Sequence, residues 1–559
     1  MRVRVGHPVV VAVLLWGWAA EGLAARPVIF PNGVVSAVSF RPVGVPGSAI
    51  ARGSLFSLFG TGLGPAAGVI ASQLPLQTTL GGVSVRVTGG GTSVDAFPYF
   101  VRADQLIAIL PSNAPLGQVA FTVSFQNETS DPVTVAVVAS SFGIISRSSD
   151  GRGQAQAQNF VAPDTLPLNT LTNAARPGQV VIVYGTGLGA IAGPDNVAPP
   201  TADLNAPVEI LVGGRPARRL YAGRSPCCAA LDQVNFEVPP DAPAGCYVPV
   251  TIKTADTQSN YLTIAIAPSG GACTDPSNPL SGAMAGAGNR SVGAVTVQRS
   301  ALQVSVAGRT ILSTQDTAGA FFLRATESFF QPDFSLPPPG ACSTLTFRAT
   351  AGQAPFPIPL FALRDAGSPL RLSGPGPEKT IPRESTGSYF ASLGGGVDLP
   401  GSPPPPPLYL VAGRYNLSGP GGIDIGALTA NLDLPDPSTW TPNWTNRDQT
   451  ATVNRAQPLS LTWTVGNVTA GVALITGSST DAGLGVGGTF VCTAPLAAGS
   501  FQVPAAVLAV LPASTGTAGL ASGMLSLEVL AHGASFTPPG LNLGAVRYRA
   551  TISRLVDYR

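Results

Sequence analysis

Residues 57–64 (SLFGTGLG) return as residues 182–189 (IVYGTGLG), and this repeated stretch decides how the fold is organised. Each copy is an apolar, strand-like run that enters a glycine-rich turn. Matching landmarks follow both copies, and their offset drifts only from 125 to 128 residues. The first half of the chain is therefore interpreted as a tandem duplication.

Between these landmarks lie strand-length runs separated by Gly, Pro, Asn or Ser turns, without an intervening amphipathic helix. Such spacing favours an antiparallel sandwich over a sheet built from βαβ units. The runs of copy one are 55–59, 83–87, 106–110, 119–125 and 133–138. Those of copy two are 180–184, 208–212, 234–238, 248–253 and 261–266.

The order of these motifs resembles the IPT/TIG type of immunoglobulin-like domain. Residues 184–189 (YGTGLG), 221–223 (YAG) and 232–239 (DQVNFEVP) are similar, more narrowly, to a repeat module of secreted proteins from Solibacter-type Acidobacteria. The resemblance covers about 240 residues, implies an Ig-like fold and an extracytoplasmic setting, and brings no established activity. Copy one departs from the pattern, because Ile107-Ala108 stand where copy two has Asn235-Phe236.

We therefore expect an all-β protein, with two tandem Ig-like (IPT/TIG-type) β-sandwiches followed by a larger β-rich C-terminal domain. Whether that last region is one domain or two is left open. Pro403–Pro407 is expected to be an extended loop, because proline cannot donate to a strand ladder. Residues 504–511 are the one stretch that resembles a short helix. The predicted divisions are a signal peptide (1–25), repeat one (28–141), repeat two (142–268), a Gly-, Ala-, Ser-, Asn- and Pro-rich linker (269–290) and the C-terminal domain (291–559).

Composition agrees with many short strands and argues against long helices. The chain has 559 residues, including 66 Gly and 54 Pro, and only 11% of residues are charged. A formal net charge of +2 without basic clusters gives no electrostatic footprint for nucleic acid. Nucleic acid is therefore excluded as an expected partner.

The N-terminus has the three regions of a secretory signal peptide. Arg2 and Arg4 precede an apolar run at 8–20, and small residues end it at 22–25. This run is too short for a membrane anchor, and no later segment has 18 uninterrupted apolar residues. We expect cleavage after Ala24 or Ala25, no membrane span afterwards, and an exported protein that is extracellular, on the cell surface or periplasmic.

Six cysteines in an exported chain predict disulfides rather than a zinc site. Adjacent cysteines rarely bond to each other, because the small ring strains the peptide. Cys227 and Cys228 are therefore expected to pair separately with Cys246 and Cys273, in an order that the sequence leaves open. That leaves Cys342 to pair with Cys492 and to make residues 342–492 one folded unit.

Residues suited to catalysis are scarce. His532 is the only histidine after the predicted signal peptide, so a Ser-His-Asp triad has one possible base. The acidic residues of a carboxylate-pair hydrolase could come from Asp365, Glu378, Glu384 and Asp424, although acidic side chains in turns are more often solvated or bonded to the backbone. No catalytic residue is assigned, and an enzyme is not expected.

Cofactor and metal sites are also not expected. The GTGLG stretch lacks the following helix that a phosphate-binding loop needs. Asp433 and Asp436 are three residues apart, and two carboxylates are too few to specify calcium. Residues 150–153 (DGRG) are interpreted first as a turn, and only second as a ligand site.

The one aromatic concentration is Trp440, Trp444 and Trp463. Trp463 alternates with polar residues in 459–464 and is expected to be core. Trp440 and Trp444 lie among Pro, Thr and Asn, and are candidates for stacking on a ligand, although packing in the core is the competing interpretation. The leading hypothesis is a non-enzymatic protein for adhesion, surface assembly or recognition, with an unknown protein or polysaccharide partner. A carbohydrate-binding or glycan-processing accessory and a hydrolase with an unrecognised carboxylate pair are the alternatives.

Overall fold

The fold is given by a computed structural model. It describes residues 26–200, 202–204, 206–255, 257–278, 280–286, 288–306, 309–327, 335–348, 362–397, 403–437, 441–443, 451–464, 471–514 and 523–559.

The first repeat is a two-sheet sandwich. One sheet has the strand order β1-β3-β9-β8-β4 and the other β2-β12-β10-β6-β5, with β7 and β11 added beside β6 and β10. Alternate residues point inward, so that Phe56, Leu58, Val85 and Phe121 are buried between the sheets. The strands are β1 (Val28–Ser36), β2 (Ile50–Ala51), β3 (Leu55–Thr61), β4 (Val69–Ile70), β5 (Thr79–Leu80), β6 (Val83–Gly89), β7 (Thr92–Asp95), β8 (Phe97–Val101), β9 (Gln105–Ile109), β10 (Gly117–Phe125), β11 (Glu128–Thr129) and β12 (Val133–Val138).

The second repeat uses the same strand succession, but its two sheets are joined. The long strand β18 pairs with β17 at one end and with β19 at the other. In copy one the matching run is interrupted at Ala96, whose amide donates to the carbonyl of Val85 at 2.9 Å. The strands are β13 (Gly143–Ile144), β14 (Ala157–Asn159), β15 (Val180–Thr186), β16 (Ala202–Asp203), β17 (Val208–Val212), β18 (Arg215–Arg224), β19 (Asp232–Glu237), β20 (Gly245–Thr254), β21 (Thr257–Gln258) and β22 (Leu262–Ile266).

The first glycine of each GTGLG motif lies at the end of a strand rather than in the turn. Gly60 pairs with Ile29 across β1 and β3, and Gly185 pairs with Ile144 across β13 and β15. A Cβ at Gly60 would collide with the carbonyl oxygen of Val28, and one at Gly185 with that of Gly143. The repeated glycine is therefore explained by close approach of a neighbouring strand.

The C-terminal region is a larger sandwich. Its main sheet has eleven strands, in the order β25-β37-β36-β39-β40-β23-β24-β30-β29 with β26 beside β24 and β34 beside β40. Two small sheets, β28-β27-β31-β32 and β33-β35-β38, cover one face. The strands are β23 (Asn289–Val306), β24 (Arg309–Thr326), β25 (Cys342–Arg348), β26 (Ala362–Leu363), β27 (Leu370–Ser373), β28 (Lys379–Ile381), β29 (Arg383–Ser385), β30 (Ser388–Val397), β31 (Gly413–Gly419), β32 (Leu428–Leu434), β33 (Thr441–Asn443), β34 (Ala451–Val453), β35 (Leu459–Thr464), β36 (Val472–Asp481), β37 (Val486–Pro495), β38 (Ser500–Val503), β39 (Gly523–Phe536) and β40 (Leu543–Tyr558).

Helix is confined to short pieces in the described residues. The predicted short helix is present as α1 (Ala505–Leu508), and 3₁₀ turns occupy Ser281–Met284 and Leu496–Ala498. Within the described ranges, no helix is long and apolar enough to cross a membrane. The all-β, Ig-like sandwich class expected from the sequence is confirmed.

The run Pro403–Pro407 lies outside every strand, and its neighbours are fixed by a buried charge. The carbonyl of Pro406 accepts from the amide of Gly395 at 2.9 Å. The amides of Tyr409 and Leu410 both donate to Oδ2 of the fully buried Asp316, at 2.8 Å each. The prolines thus use only their acceptors, and the residues that follow supply the donors.

The three disulfides correct part of the predicted pairing. Cys342 pairs with Cys492 across β25 and β37, as expected. The unit that this bond belongs to is wider than 342–492, because its sheet runs from β23 to β40. Cys246 pairs with Cys273 in a buried cluster, whereas Cys227 pairs with Cys228 in an exposed turn. The predicted pairing of Cys227 and Cys228 with Cys246 and Cys273 was therefore wrong. Cys246 and Cys273 lie in a buried cluster, whereas Cys227 and Cys228 lie in an exposed turn, so the two pairs belong to different parts of repeat two.

The segment predicted as a linker is packed into the fold. Cys273, Leu280 and Met284 are buried in one cluster with Tyr247 of repeat two and Leu323 of the C-terminal sheet. Its composition is that of a linker, and the few apolar residues in it reach a shared core. The segment therefore connects the modules by packing.

A second contact between these modules is ionic. Glu327, directly after β24, pairs with Arg147 at 2.9 Å and is 8% exposed. Its carboxylate also accepts from the amides of Leu171 at 3.0 Å and Gly286 at 3.3 Å. The carboxylate of Glu327 thus links repeat two, the packed segment and the C-terminal sheet.

The two repeats meet through a buried ion pair, which we call the joint pair. Arg224 and Asp232 are 1% and 0% exposed, and Nη1 of Arg224 forms an ion pair with Oδ1 of Asp232. Arg224 also donates to the carbonyl of Gly53 in repeat one at 3.0 Å and to that of Gly189 at 2.8 Å. Asp232 accepts from the amide of Leu188 at 2.8 Å.

Further polar groups extend the joint. The hydroxyl of Thr186 accepts from the amide of Leu55 at 3.0 Å and donates to the carbonyl of Ala230 at 2.9 Å. The buried guanidinium of Arg41 in repeat one donates to the carbonyl of Ser259 in repeat two at 2.6 Å, and burial lowers the pKa of Arg41 to about 10. The motif of copy two is therefore used to fix one repeat against the other.

Copy one carries a control for this joint. Asp104 matches Asp232 in the repeat but pairs with Arg102, and the side chains of Arg102 and Asp104 are 44% and 61% exposed. We predict that Asp232→Asn weakens the joint by about 3 to 5 kcal/mol, because it leaves Arg224 buried without a counter-charge. Asp104→Asn should cost less than about 1 kcal/mol. Hydrogen exchange of peptides covering 53–56 and 186–189 measures both, and equal protection in the two variants would contradict the prediction.

Candidate functional site

The outer face of the eleven-stranded sheet is the candidate functional surface. In β39, Leu525, Leu527 and Val529 point into the core, so Ser526 and Glu528 point the opposite way. The hydroxyls of Ser526 and Ser553 lie 2.7 Å apart across β39 and β40. One face of this sheet thus makes the core, and the other carries these polar side chains beside a small buried apolar cluster of Leu336, Val472, Leu474 and Leu530.

Glu528 is the centre of this face. It is 7% exposed, and its Oε1 accepts from the hydroxyl of Thr476 at 2.9 Å. Its Oε2 lies 3.5 Å from Nε of Arg549, with which it forms an ion pair. Three neighbouring strands, β36, β39 and β40, therefore supply an acceptor, a hydroxyl and a guanidinium at one place.

These three side chains lie in a groove of about 360 Å³. Ser343, Ser478 and Thr489 line it with further hydroxyls, and Met524 is 40% exposed beside them. The volume falls within the range of about 300 to 1,000 Å³ that is usual for small-ligand sites. A few polar groups among mainly apolar side chains are the usual composition of such a site. The apolar lining consists of Leu336, Leu345, Leu474, Phe490, Val491 and Met524.

Sequence patterns alone did not single out this groove. Glu528 lies in β39, and its alternation with Leu527 and Val529 was the available signal for an outward charge. Arg549 follows 21 residues later, and Thr476 precedes by 52. Only strand pairing brings residues so far apart in sequence together.

The tryptophan candidates are divided by the structure. Trp463 is 4% exposed and its indole nitrogen donates to the carbonyl of Leu496 at 2.8 Å, which confirms the core assignment. Trp440 and Trp444 lie outside the described residues. Their predicted role in ligand stacking therefore stays a prediction.

His532 does not form a triad with the serine beside it. Its Nε2 donates to the backbone carbonyl of Ser277 at 3.0 Å, while the hydroxyl of Ser277 donates to Asp275 at 2.5 Å. Burial, with a smaller effect from nearby Arg547, lowers the pKa of His532 to about 4. The ring is neutral and structural in this setting.

Two of the four candidate carboxylates do come together. Asp365 and Asp424 share a loop cluster, but Asp365 pairs with Arg383 at 2.6 Å and Asp424 with Arg364 at 3.1 Å. The amide of Gly367, and then Arg383, lower the pKa of Asp365, which is the opposite of what a general acid needs. Glu378 pairs with Arg371 at 2.6 Å, and Glu384 lies in the exposed strand β29.

Metal and phosphate candidates are occupied by protein partners. Asp433 forms an exposed pair with Arg414 at 2.9 Å, and Asp150 accepts from Ser148 and from the amide of Arg152 within its own turn. Among the described residues, no group of three or more His, Cys, Asp or Glu could hold a metal ion. In the GTGLG loops, the amides of Leu63 and Leu188 already donate to Ala103 and Asp232.

Copy two's Asn235 has a local role. Its side-chain oxygen accepts from the amide nitrogen of Gln233 at 2.9 Å along β19. Copy one has Ile107 in its place, so this bond is not duplicated.

Comparison with known proteins gives similarities of fold at low identity. No protein-family model and no curated protein sequence matches the chain. A tandem from titin is 7% identical with a TM-score of 0.12, covering 69% of this chain and 94% of that one. The SGBP-B protein of a xyloglucan utilization locus in Bacteroides uniformis is 12% identical with a TM-score of 0.15, covering 66% and 86%. SGBP-B of the mixed-linkage glucan locus in Bacteroides ovatus is 12% identical with a TM-score of 0.12, covering 79% and 80%.

His532 gives a prediction for stability against pH. The pKa of the folded state lies below the unfolded value of about 6.5, so the unfolded state takes up the proton first. The contribution of neutral His532 to the free energy of unfolding is therefore fully present above pH 6.5. It is lost as the pH falls toward 4, to a limit of about 3 kcal/mol. His532→Gln keeps a donor for Ser277 and should remove this part of the pH dependence. Denaturation at several pH values checks it, and an NMR titration with a pKa near 6.5 would contradict it.

Proposed function

We propose that this is an exported, non-enzymatic recognition protein whose C-terminal groove binds a polysaccharide. The observation that carries the proposal is the Glu528–Arg549–Thr476 group on the floor of the groove. The tandem repeats hold this domain through packed and ion-paired contacts. Adhesion or surface assembly follows if the polymer belongs to a cell surface.

The groove has the chemistry that neutral sugars require. A sugar hydroxyl both donates and accepts, so a carboxylate and a guanidinium side by side can bind adjacent hydroxyls of one ring. Met524 and Leu345 also line the groove and offer apolar surface to the C–H faces of neighbouring sugar rings. An ion pair already carries balanced charge, and this favours a neutral ligand over a strongly anionic one.

The three disulfides support the exported setting. Such bonds form and persist in oxidising compartments, and each of the six cysteines is paired. Removal of the signal peptide, and release or surface attachment of the mature protein, are parts of the same proposal. Proteomic identification of a mature N-terminus near residue 25 would support it.

Glu528→Gln is predicted to lower affinity for a neutral polysaccharide by about 10- to 100-fold. Hydrogen bonds to a charged group contribute about 1.5 to 3 kcal/mol, and the amide keeps the size of the side chain. A glycan array followed by affinity electrophoresis measures the change. Asp433→Asn is the matched control, because Asp433 forms an exposed ion pair on β32 of the small sheet. Equal retention of Glu528→Gln and wild type, with unchanged melting, would contradict a site in this groove.

Trp440→Ala and Trp444→Ala test the stacking prediction. Lost binding with unchanged melting temperature would place the two indoles in the site, with about 1 to 2 kcal/mol for each ring. Unchanged binding with lowered melting temperature would place them in the core. Trp463→Phe serves as the core control, because its indole bond to Leu496 is removed.

A further inference from the structure

The Cys227–Cys228 disulfide differs from the other two in its exposure. Cys246 and Cys492 are 0% exposed, and Cys273 and Cys342 are 7% and 8% exposed. Cys227 and Cys228 are both exposed, in the turn between β18 and β19. Exposed disulfides are the ones that thiols attack readily, whereas buried ones resist because the attacking thiolate cannot reach the sulfur.

A cavity gives access to this disulfide. It has a volume of about 390 Å³ and lies between Cys227 and Cys228 of repeat two and Leu55, Leu74 and Tyr99 of repeat one. Leu74 and Tyr99 are 49% and 46% exposed at its rim. A small thiol can therefore approach the sulfurs from the side of repeat one.

The turn is connected to the joint between the repeats. It starts directly after Arg224 and ends directly before Asp232, so the joint pair closes its base. The amide of Ser225 donates to the carbonyl of Leu231 at 2.8 Å. The carbonyl of Ala230 accepts a hydrogen bond from the hydroxyl of Thr186. The same hydroxyl accepts a hydrogen bond from the amide of Leu55 in repeat one.

We propose that Cys227–Cys228 is a thiol-exchange site, and that its reduction loosens the joint between the repeats. A thiolate of a dithiol attacks one sulfur, the Cys227–Cys228 bond breaks, and a mixed disulfide forms. The second thiol of the dithiol then displaces that cysteine. The dithiol leaves as a disulfide, and Cys227 and Cys228 each gain one electron and one proton. Reduction frees the turn, because the covalent link that limits its conformations is gone.

Dithiothreitol is the probe for the exchange step. The full chain is treated with increasing dithiothreitol, alkylated and mapped by mass spectrometry. We expect Cys227 and Cys228 to be alkylated at a concentration at least about tenfold below that required for the other four cysteines. Alkylation without reductant, or opening no earlier than that of Cys246–Cys273, would overturn the proposal.

The route of approach is tested at the rim. Leu74→Glu places a negative charge beside the cavity and should slow attack by the thiolate several-fold, whereas Leu74→Gln should not. Equal rates for these two variants would overturn the approach through this cavity.

The effect on the joint is tested by hydrogen exchange of peptides covering 53–56 and 225–231. Reduction of the wild type should accelerate their exchange several-fold. The Cys227→Ser/Cys228→Ser variant should exchange at the reduced rate with or without dithiothreitol. Unchanged exchange after confirmed reduction would overturn the coupling to the joint.

Discussion

A buried charge that must be paired is the constraint on which the arrangement of the repeats depends. Arg224 and Asp232 are almost completely removed from water, and each would carry a large desolvation penalty alone. Together they neutralise each other, and Nη2 of Arg224 donates to the carbonyls of Gly53 and Gly189. Because Gly53 belongs to the other repeat, satisfying this pair also sets how the two sandwiches meet.

The duplication shows one motif in two roles. In both copies the first glycine of GTGLG admits a neighbouring strand, so this part of the motif serves the fold itself. The acidic residue of the following Asp-Gln pair differs in its use. Asp104 forms an exposed pair with Arg102, whereas Asp232 is buried at the joint. The same sequence signature therefore specifies a sandwich in copy one, and a sandwich together with its attachment in copy two.

Local sequence patterns predicted the features of the fold that depend on neighbouring residues alone. Alternation and turn residues located the main strands of both repeats, the core position of Trp463, the irregular segment at Pro403–Pro407 and the short helix near 504–511. At 269–290 the composition predicted a linker, and it did not indicate that a few apolar residues of this Gly-rich segment reach a core formed by distant strands. The cysteine pairing at 227 and 228 and the groove around Glu528 depend on which strands become neighbours, and sequence spacing does not contain that information.

If the joint makes the two repeats one rigid unit, the distance between them is fixed, and a measured distance distribution shows whether it is. Nitroxide labels on cysteines introduced at the exposed positions Thr92 and Arg215 would report the separation of the repeats by pulsed electron resonance. The native cysteines are all paired, so labelling in the absence of a reducing thiol leaves them unlabelled. A rigid joint gives a single narrow distribution for the oxidised protein. A broad or multi-peaked distribution would contradict it.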